Sequence, residues 1–369
     1  MNKYLYILLT PFFFTLCHAN NVKWSTRIMI DADQAGAFYQ KDATDSTNPK
    51  TSTELASLKS SLKYTFNQSF DSKFQLDISR PANDDHETKI EWKDVYLRWH
   101  PTGHLKTQVG QFKEPLGHDR LLGSGDRMTI EASMATSAFT PGRSLGAGVQ
   151  LQDQTKTISV GIFDIQDDDI NHGYALTTRT TTSMFHSTKS PVHLGVGYSY
   201  RSMPNNLFQI KERGEVNTAD NIIRSPRFYA DTQQIANFEL GTVLNRFWLM
   251  SEFFTTQIHQ EDGSEWLFSG FYLQVSASLF GDAGKFKHGI FKPAKHRSND
   301  IEWVIRYSGI SLKDNNLGSE ASSTLFGLNY YFKKQTSFML NIITPNISGN
   351  VVNTNQTGEA ISLRFKHIF

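Results

Sequence analysis

The chain ends on Ile361-Ser362-Leu363-Arg364-Phe365-Lys366-His367-Ile368-Phe369, and no other stretch constrains the fold as tightly. Four of its five odd positions are apolar, His367 being the exception, and three of its four even positions are polar or basic, Ile368 being the exception. A side-chain period of two gives an extended strand one greasy face and one wet face. Ends of soluble domains are usually frayed and polar, whereas this chain stops on a bare aromatic residue, Phe369.

Such a strand is expected to close a transmembrane β-barrel, its apolar side chains toward lipid and its polar ones toward the lumen. The N-terminus agrees. Lys3 precedes an apolar stretch from Leu5 to Leu16, broken by Pro11, and Cys17-His18-Ala19 ends in a small residue. We therefore expect a secretory signal peptide over residues 1–19 and a barrel domain over 20–369. The apolar run is shorter than the roughly 20 residues a spanning helix needs. Phe14-Thr15-Leu16 also lacks the small residues expected before a lipidated cysteine. Removing Lys3 and Cys17 with the signal leaves 36 basic residues (37 less one), 36 acidic residues and no cysteine. A disulfide framework, thiolate catalysis and cysteine-ligated metal are thereby excluded. The balanced charge points to no nucleic-acid partner.

Hydropathy and periodicity carry the reading further. Mean hydropathy is −0.41, yet aromatic residues reach 12%. Alternation recurs along the chain. Val22, Trp24, Thr26, Ile28 and Ile30 oppose Lys23, Ser25, Arg27 and Asp31; Leu58, Leu62 and Tyr64 oppose Lys59, Ser61 and Lys63. Phe74, Leu76 and Ile78 oppose Lys73, Gln75 and Asp77, and Leu145, Ala147, Val149 and Leu151 oppose glycines and glutamines. The pattern returns at 193–201, 271–279 and 301–307. A soluble sandwich also alternates, but its strands average about 5–6 residues. A tilted membrane strand needs about 9–11, and these runs last eight to ten. The fold class is thus all-β, a transmembrane antiparallel barrel. Roughly 350 residues at about 22 per strand, turn and half-loop give about 16 strands, an even number.

Asn67-Gln68-Ser69 and Lys333-Lys334-Gln335 read as tight turns. The polar stretches 41–53, 81–88, 164–182, 212–226, 284–299 and 351–358 read as larger, extracellular loops. Residues 113–143 are different: about thirty residues without strand periodicity, a length that usually signals function. Leu121, Leu122, Met128, Ile130 and Met134 would be out of place in a solvated loop. They suit a segment packed inside the barrel that narrows the pore.

Within this segment, Gly110-Gln111-Phe112-Lys113-Glu114-Pro115, followed by Ala138-Phe139-Thr140-Pro141-Gly142-Arg143-Ser144-Leu145-Gly146, resembles the constriction-loop signature of the phosphate-selective porin O and P family. Arg27-Ile28-Met29-Ile30-Asp31 resembles the family's first strand. Gly270-Phe271-Tyr272-Leu273-Gln274, Glu302-Trp303-Val304-Ile305-Arg306-Tyr307-Ser308 and Gly327-Leu328-Asn329-Tyr330-Tyr331 resemble its late strands. The resemblance implies a 16-stranded outer-membrane barrel of Gram-negative bacteria, typically a homotrimer, whose third loop folds into the lumen. It also implies passage of anions, phosphate among them, past an inward ladder of Arg and Lys. Outer-membrane lipid and lipopolysaccharide would surround such a barrel, and the assembly machinery would engage it through Phe369.

Candidate constriction and anion-binding residues are Lys113, Arg120, Arg127 and Arg143, set against Glu114, Asp119, Asp126 and Glu131. Four against four gives the segment no net charge, and Ala132 stands where the family carries an arginine. Arginine suits phosphate because its planar fork donates two parallel hydrogen bonds. Parity adds lumen-facing bases at Lys59, Lys63, Lys73, Lys106, Arg201, Arg306, Arg364 and Lys366, with Asp31, Asp77, Glu239 and Glu302 among the acids sharing those faces.

Other chemistry has little support. Asp164, Asp167, Asp168 and Asp169 lack the glycine and glutamate spacing of a calcium loop, and the histidines form no paired metal motif on a helix. Gly123-Ser124-Gly125, with His118 nearby, lacks the elbow spacing of a serine hydrolase. The expectation is a cofactor-free outer-membrane channel for passive diffusion of small hydrophilic solutes, anions such as phosphate first among them. A non-selective general porin or a structural barrel is the alternative, and a barrel enzyme a remote one.

Overall fold

The computed structural model describes residues 21–40, 48–82, 87–165, 173–185, 190–281, 284–292, 298–349 and 358–369. The signal segment 1–19, the Asp167–Asp169 turn within 164–182 and parts of four other expected loops (41–47, 83–86, 293–297 and 350–357) lie outside them. Sixteen strands form one closed antiparallel barrel. They are β1 (Val22–Ala35), β2 (Lys50–Thr65), β3 (Phe70–Arg80), β4 (Lys89–Trp99), β5 (Leu105–Lys113), β6 (Arg143–Gln152), β7 (Lys156–Ile165) and β8 (Gly173–Met184), then β9 (Val192–Phe208), β10 (Phe228–Leu244), β11 (Phe247–His259), β12 (Glu265–Ser278), β13 (Asp300–Ser311), β14 (Ser319–Lys333), β15 (Thr336–Gly349) and β16 (Ala360–Ile368). Each strand pairs with the next. β16 returns to β1, with Arg364 opposite Asp31 and Phe365 opposite Ile30, so no edge is left open.

Alternation sets the faces as expected. Leu145, Val149, Leu151, Ile305, Tyr307, Ile361 and Leu363 are exposed on the outside, while Ser362, Arg364 and Lys366 are buried on the inside. Short connections such as 66–69, 100–104, 245–246 and 334–335 share one end with both chain termini. At that end Trp24, Phe66, Phe70, Trp99, Phe247, Phe332 and Phe338 form an exposed aromatic belt, the girdle such barrels place at a membrane interface. No helix among the described residues is long and apolar enough to cross a membrane; the crossing elements are strands.

Two expected outer loops behave otherwise. Residues 209–227 turn inward and carry a small hairpin, Lys211–Glu212 against Ile223–Arg224, with Val216, Ala219, Ile222 and Ile223 buried. The stretch 284–299 links β12 to β13 at the end where the short turns lie, not at the long-loop end. Its hairpin, Lys285–Lys287 against Ile290–Lys292, also points inward, with Phe291 fully buried. Polar flanks suggested solvated loops at 212–226 and 284–299. The few apolar residues inside them decide the outcome, because Ile222, Ile223 and Phe291 gain more by joining the interior than the flanks lose.

Candidate functional site

Residues 114–142 leave the rim at β5 and re-enter at β6, forming two short helices on the way, α1 (His118–Leu121) and α2 (Met134–Phe139). Ser133 caps α2, its hydroxyl accepting from the Thr136 N–H at 3.2 Å. Leu116, Leu122, Met128, Ile130, Met134 and Phe139 are all buried. Side chains from the inner faces of strands around the barrel hold the segment. Glu252 on β11 accepts the N–H groups of His118 at 2.7 Å and Asp119 at 2.9 Å, and is itself fixed by the Tyr272 hydroxyl at 2.8 Å. Glu114, fully buried, accepts from Ser144 at 2.7 Å, Thr177 at 2.8 Å and Arg201 at 2.9 Å. Arg306 donates to Thr129 Oγ1 at 2.7 Å and the Glu131 carbonyl at 3.1 Å. Arg364 donates to the Ile130 carbonyl at 2.6 Å, and Lys366 to that of Gly125 at 2.8 Å. Buried backbone groups that face no water require such partners, and here charged ones supply stronger bonds.

The other two inward segments interlock with this one. Glu215 accepts from Ser308 at 2.9 Å, Ser323 at 3.0 Å and the Met134 N–H at 3.3 Å. The hairpin at 285–292 turns through His288 and Gly289, both at positive φ (53° and 72°), the backbone of a two-residue primed turn. Phe291 stacks on Trp248 at 3.9 Å, and its N–H donates to His118 Nε2 at 2.9 Å. The Gly289 carbonyl accepts from Arg179 at 2.7 Å, and Arg179 is also bound through two 2.6 Å bonds to Glu239.

This packing is one-sided, and the asymmetry defines an open lane. Inward residues from β8 to β16 are sealed: Arg179 is 3% exposed, Glu252 0% and Arg306 2%. On β2 to β7 several long inward side chains stay partly open, Lys63 at 43%, Lys73 at 25% and Arg143 at 21%, although Ser57, Asp71, Asp77 and Phe163 on the same strands are buried. Arg27, Lys59, Lys63 and Lys73 face this lane, as do Lys113 and Arg143 at the foot of the loop and Arg98 and Lys106 toward the short-turn end. The wall acids are Asp71, Asp77, Asp94, Glu54 and Glu91, each already partnered: Asp77 to Lys59 at 3.0 Å, Asp71 to His100 at 2.7 Å and Lys63 at 3.5 Å, Asp94 to Lys73 at 2.6 Å and to Arg143, Glu91 to Lys93, and Glu54 to Asn217 and the Ala82 N–H. These eight bases against five acids leave the wall positive. Among the described residues, Arg98, Lys106, Lys113 and Arg120 form no salt bridge. Arg98 donates to Gln108 and to the Tyr96 hydroxyl, Lys106 to Gln152, Lys113 to the Arg120 and Leu122 carbonyls, and Arg120 to Thr140. Burial and the neighbouring Arg127 push the Arg120 guanidinium down to about 10, so it stays charged at neutral pH.

The candidates from sequence therefore divide. Lys59, Lys63, Lys73, Lys106, Lys113 and Arg143 lie along the lane. Arg201, Arg306, Arg364 and Lys366 face inward, as parity required, but are braces under the inward segments. Arg127 is bonded to Asp119 at 3.0 Å and only 9% of its side chain is exposed. Of the segment's four acids, Glu114 and Asp119 are turned inward onto Arg201 and Arg127, and Glu131, 30% exposed, is paired with Arg364. Asp126 remains exposed. Sequence reasoning missed Arg98, although Asp94, Tyr96 and Arg98 alternate with Val95, Leu97 and Trp99 and so carry the same signal. It also missed Glu215 and Glu252, whose roles are set by contacts distant in sequence. No cluster of metal-ligating side chains occurs among the described residues.

A closed sixteen-stranded barrel with inward segments and a wet, charged lane is a porin architecture. The family model for phosphate-selective porin O and P matches residues 23–369, and the chain belongs to that family. Solved structures agree on the fold. The in-vitro folded outer-membrane protein OmpT of Vibrio cholerae superposes with a TM-score of 0.61 at 10% identity, over 94% of this chain and 97% of that one. An anion-selective porin from Comamonas acidovorans gives 0.60 at 10% identity, over 94% and 99%, and OprB of Pseudomonas putida 0.60 at 9%, over 95% and 94%. Comparison with curated proteins finds no match. The chain is an outer-membrane porin, a channel and not an enzyme.

Proposed function

We propose that the protein passes small hydrophilic anions, phosphate among them, along the lane lined by β2 to β7, and that residues 114–142 form its constriction. The excess of bases over acids on that wall carries the reading. In a narrow pore between low-dielectric walls, rings of like charge select ions and raise their local concentration. Lys113 sits where the segment meets the wall, Arg120 donates within the segment to Thr136, Ser137 and Thr140, and neither has a carboxylate partner among the described residues. The preference is mild, because Asp71, Asp77 and Asp94 each neutralise part of the wall and Asp126 faces water. Residues 1–19 act as a cleaved signal, the short-turn end faces the periplasm, and Phe369 presents the closing strand to the assembly machinery. Three copies assemble in a membrane whose outer leaflet is lipopolysaccharide, as the trimer form solved for OmpT suggests. Single-channel recording in a KCl gradient tests the reading. A zero-current potential of chloride-preferring sign is expected; a potassium-preferring sign would overturn it.

A further inference from the structure

Beside the lane lies a cavity of about 170 Å³ to which three separate parts of the chain contribute: the β4–β8 wall, residues 114–142 and the 285–292 hairpin. Its basic side is Arg98, Lys106, Lys113 and Arg179, with no carboxylate on the lining. Its apolar side is Phe112 with Leu121 of the loop and Ile290 of the hairpin. Phe112 can lie flat there because the wall beneath it is glycine. A Cβ on Gly148 would come within 3.3 Å of the Phe112 ring, and one on Gly146 or Gly161 within 2.7 or 2.6 Å of Phe163, against which Phe112 packs at 5.2 Å. His288, at the hairpin tip, also lines the cavity, and its buried Nδ1 meets no hydrogen-bond partner.

We propose that this cavity binds organic anions with a flat apolar body, in the simplest case an aromatic carboxylate. The inference rests on the reading of the lane as an anion path and names a solute class for it. The chemistry follows from the lining. A carboxylate accepts from Arg98 and Lys106 or Lys113, while a ring covers the Phe112, Leu121 and Ile290 surface that would otherwise face water. Inorganic phosphate gains the same cations but strips its hydration against an apolar floor that returns nothing. Ring contact with Phe112 should favour an aromatic over a short aliphatic carboxylate by roughly two- to tenfold.

The test compares block of chloride current by benzoate, acetate and phosphate in planar bilayers. Benzoate should half-block at a concentration roughly two- to tenfold below acetate and below phosphate. Phe112→Leu and Leu121→Ser should each bring benzoate toward acetate and leave acetate unchanged, and Arg98→Gln should weaken both carboxylates. Leu121→Ser, on the loop's partly exposed face, serves if Phe112→Leu does not fold. Equal block by benzoate and acetate in the wild type, or tighter block by phosphate, overturns the proposal while leaving the anion channel standing. A channel without chloride preference removes the reading beneath it as well.

Discussion

Arg364 on the last strand and Asp31 on the first pair across the seam that closes the barrel, through two bonds of 2.6 Å. The same guanidinium donates to the Ile130 carbonyl at 2.6 Å and the Glu131 carboxylate at 3.0 Å. Closure of the barrel and seating of the 114–142 segment thus depend on one side chain. Removing one partner of a buried pair typically costs about 3–5 kcal/mol, because the other charge is stranded. Arg364→Ala should therefore lower the temperature at which the folded band is lost on a semi-native gel. It should also raise single-channel conductance by loosening the segment. Unchanged conductance in folded protein would show that the segment is held without Arg364.

Acid should act through His118. Burial holds its imidazole down to about 3 against an ordinary 6.5, among Glu239, His193, Arg179 and Asp119. As a neutral ring it accepts the Phe291 N–H at 2.9 Å. Between pH 6.5 and 3 the undocked state binds a proton that the docked state does not. Docking of the hairpin is therefore at full strength above that window and weakens as pH falls through it, by up to about 1.4 kcal/mol per unit. Conductance should rise between pH 7 and 4 in the wild type. His118→Gln keeps an acceptor that does not titrate, and it should flatten the response; an identical response in the variant would place the acid sensitivity elsewhere.

Selectivity should follow the wall rather than the braces. Arg98→Glu with Lys106→Glu exchanges two positive charges for two negative ones in the open lane, where bulk salt screens least. The zero-current potential in a KCl gradient should move toward potassium. The same exchange at Lys333 and Lys334, at the turn end of β14, should move it little. Equal shifts from both pairs would contradict the placement of the lane.

The barrel was legible in the sequence because its physics is local: a period of two, repeated, with Trp24 and Ile30 outward and Arg27 and Asp31 inward, needs no knowledge of distant contacts. The segment at 113–143 was legible for the opposite reason, as a break in that period. What parity could not tell is which inward bases meet water. Lys106 and Arg306 read alike as inward bases on alternating strands, yet one faces the lane and the other lies beneath residues 129–131. The difference depends on where the inward segments pack, and that is fixed by Glu252, Glu215 and Phe291, which meet their partners across 100 residues or more of chain or from distant strands. The inward turn of 284–292 was hidden because Phe286, Ile290 and Phe291 are few among lysines and glycines.

The closing strand makes its own prediction. Phe365 lies opposite Ile30 on β1 and packs on Phe338 at 5.4 Å, and Phe369 donates its N–H to the Thr26 carbonyl at 2.9 Å. Phe365→Asp sets an acid on the lipid face, at a cost on the order of 1–4 kcal/mol that depends on depth. Folded barrel in the outer-membrane fraction should fall for this variant and for deletion of Phe369. Wild-type amounts of both would mean that the strand does not close the barrel against lipid.

The most direct measurement asks where the water runs. The only cysteine is Cys17, inside the proposed signal, so in the cleaved chain an introduced cysteine reacts alone. Single cysteines at Ser61, Gln108 and Ser159 lie on the β2–β7 wall, and at Ser308, Ser323 and Asn329 beneath the inward segments. An anionic methanethiosulfonate reagent, added to open channels in a bilayer, should lower the current within minutes at the first set and leave the second unchanged. Modification of both sets at similar rates, or of the second alone, would contradict an open lane along β2 to β7.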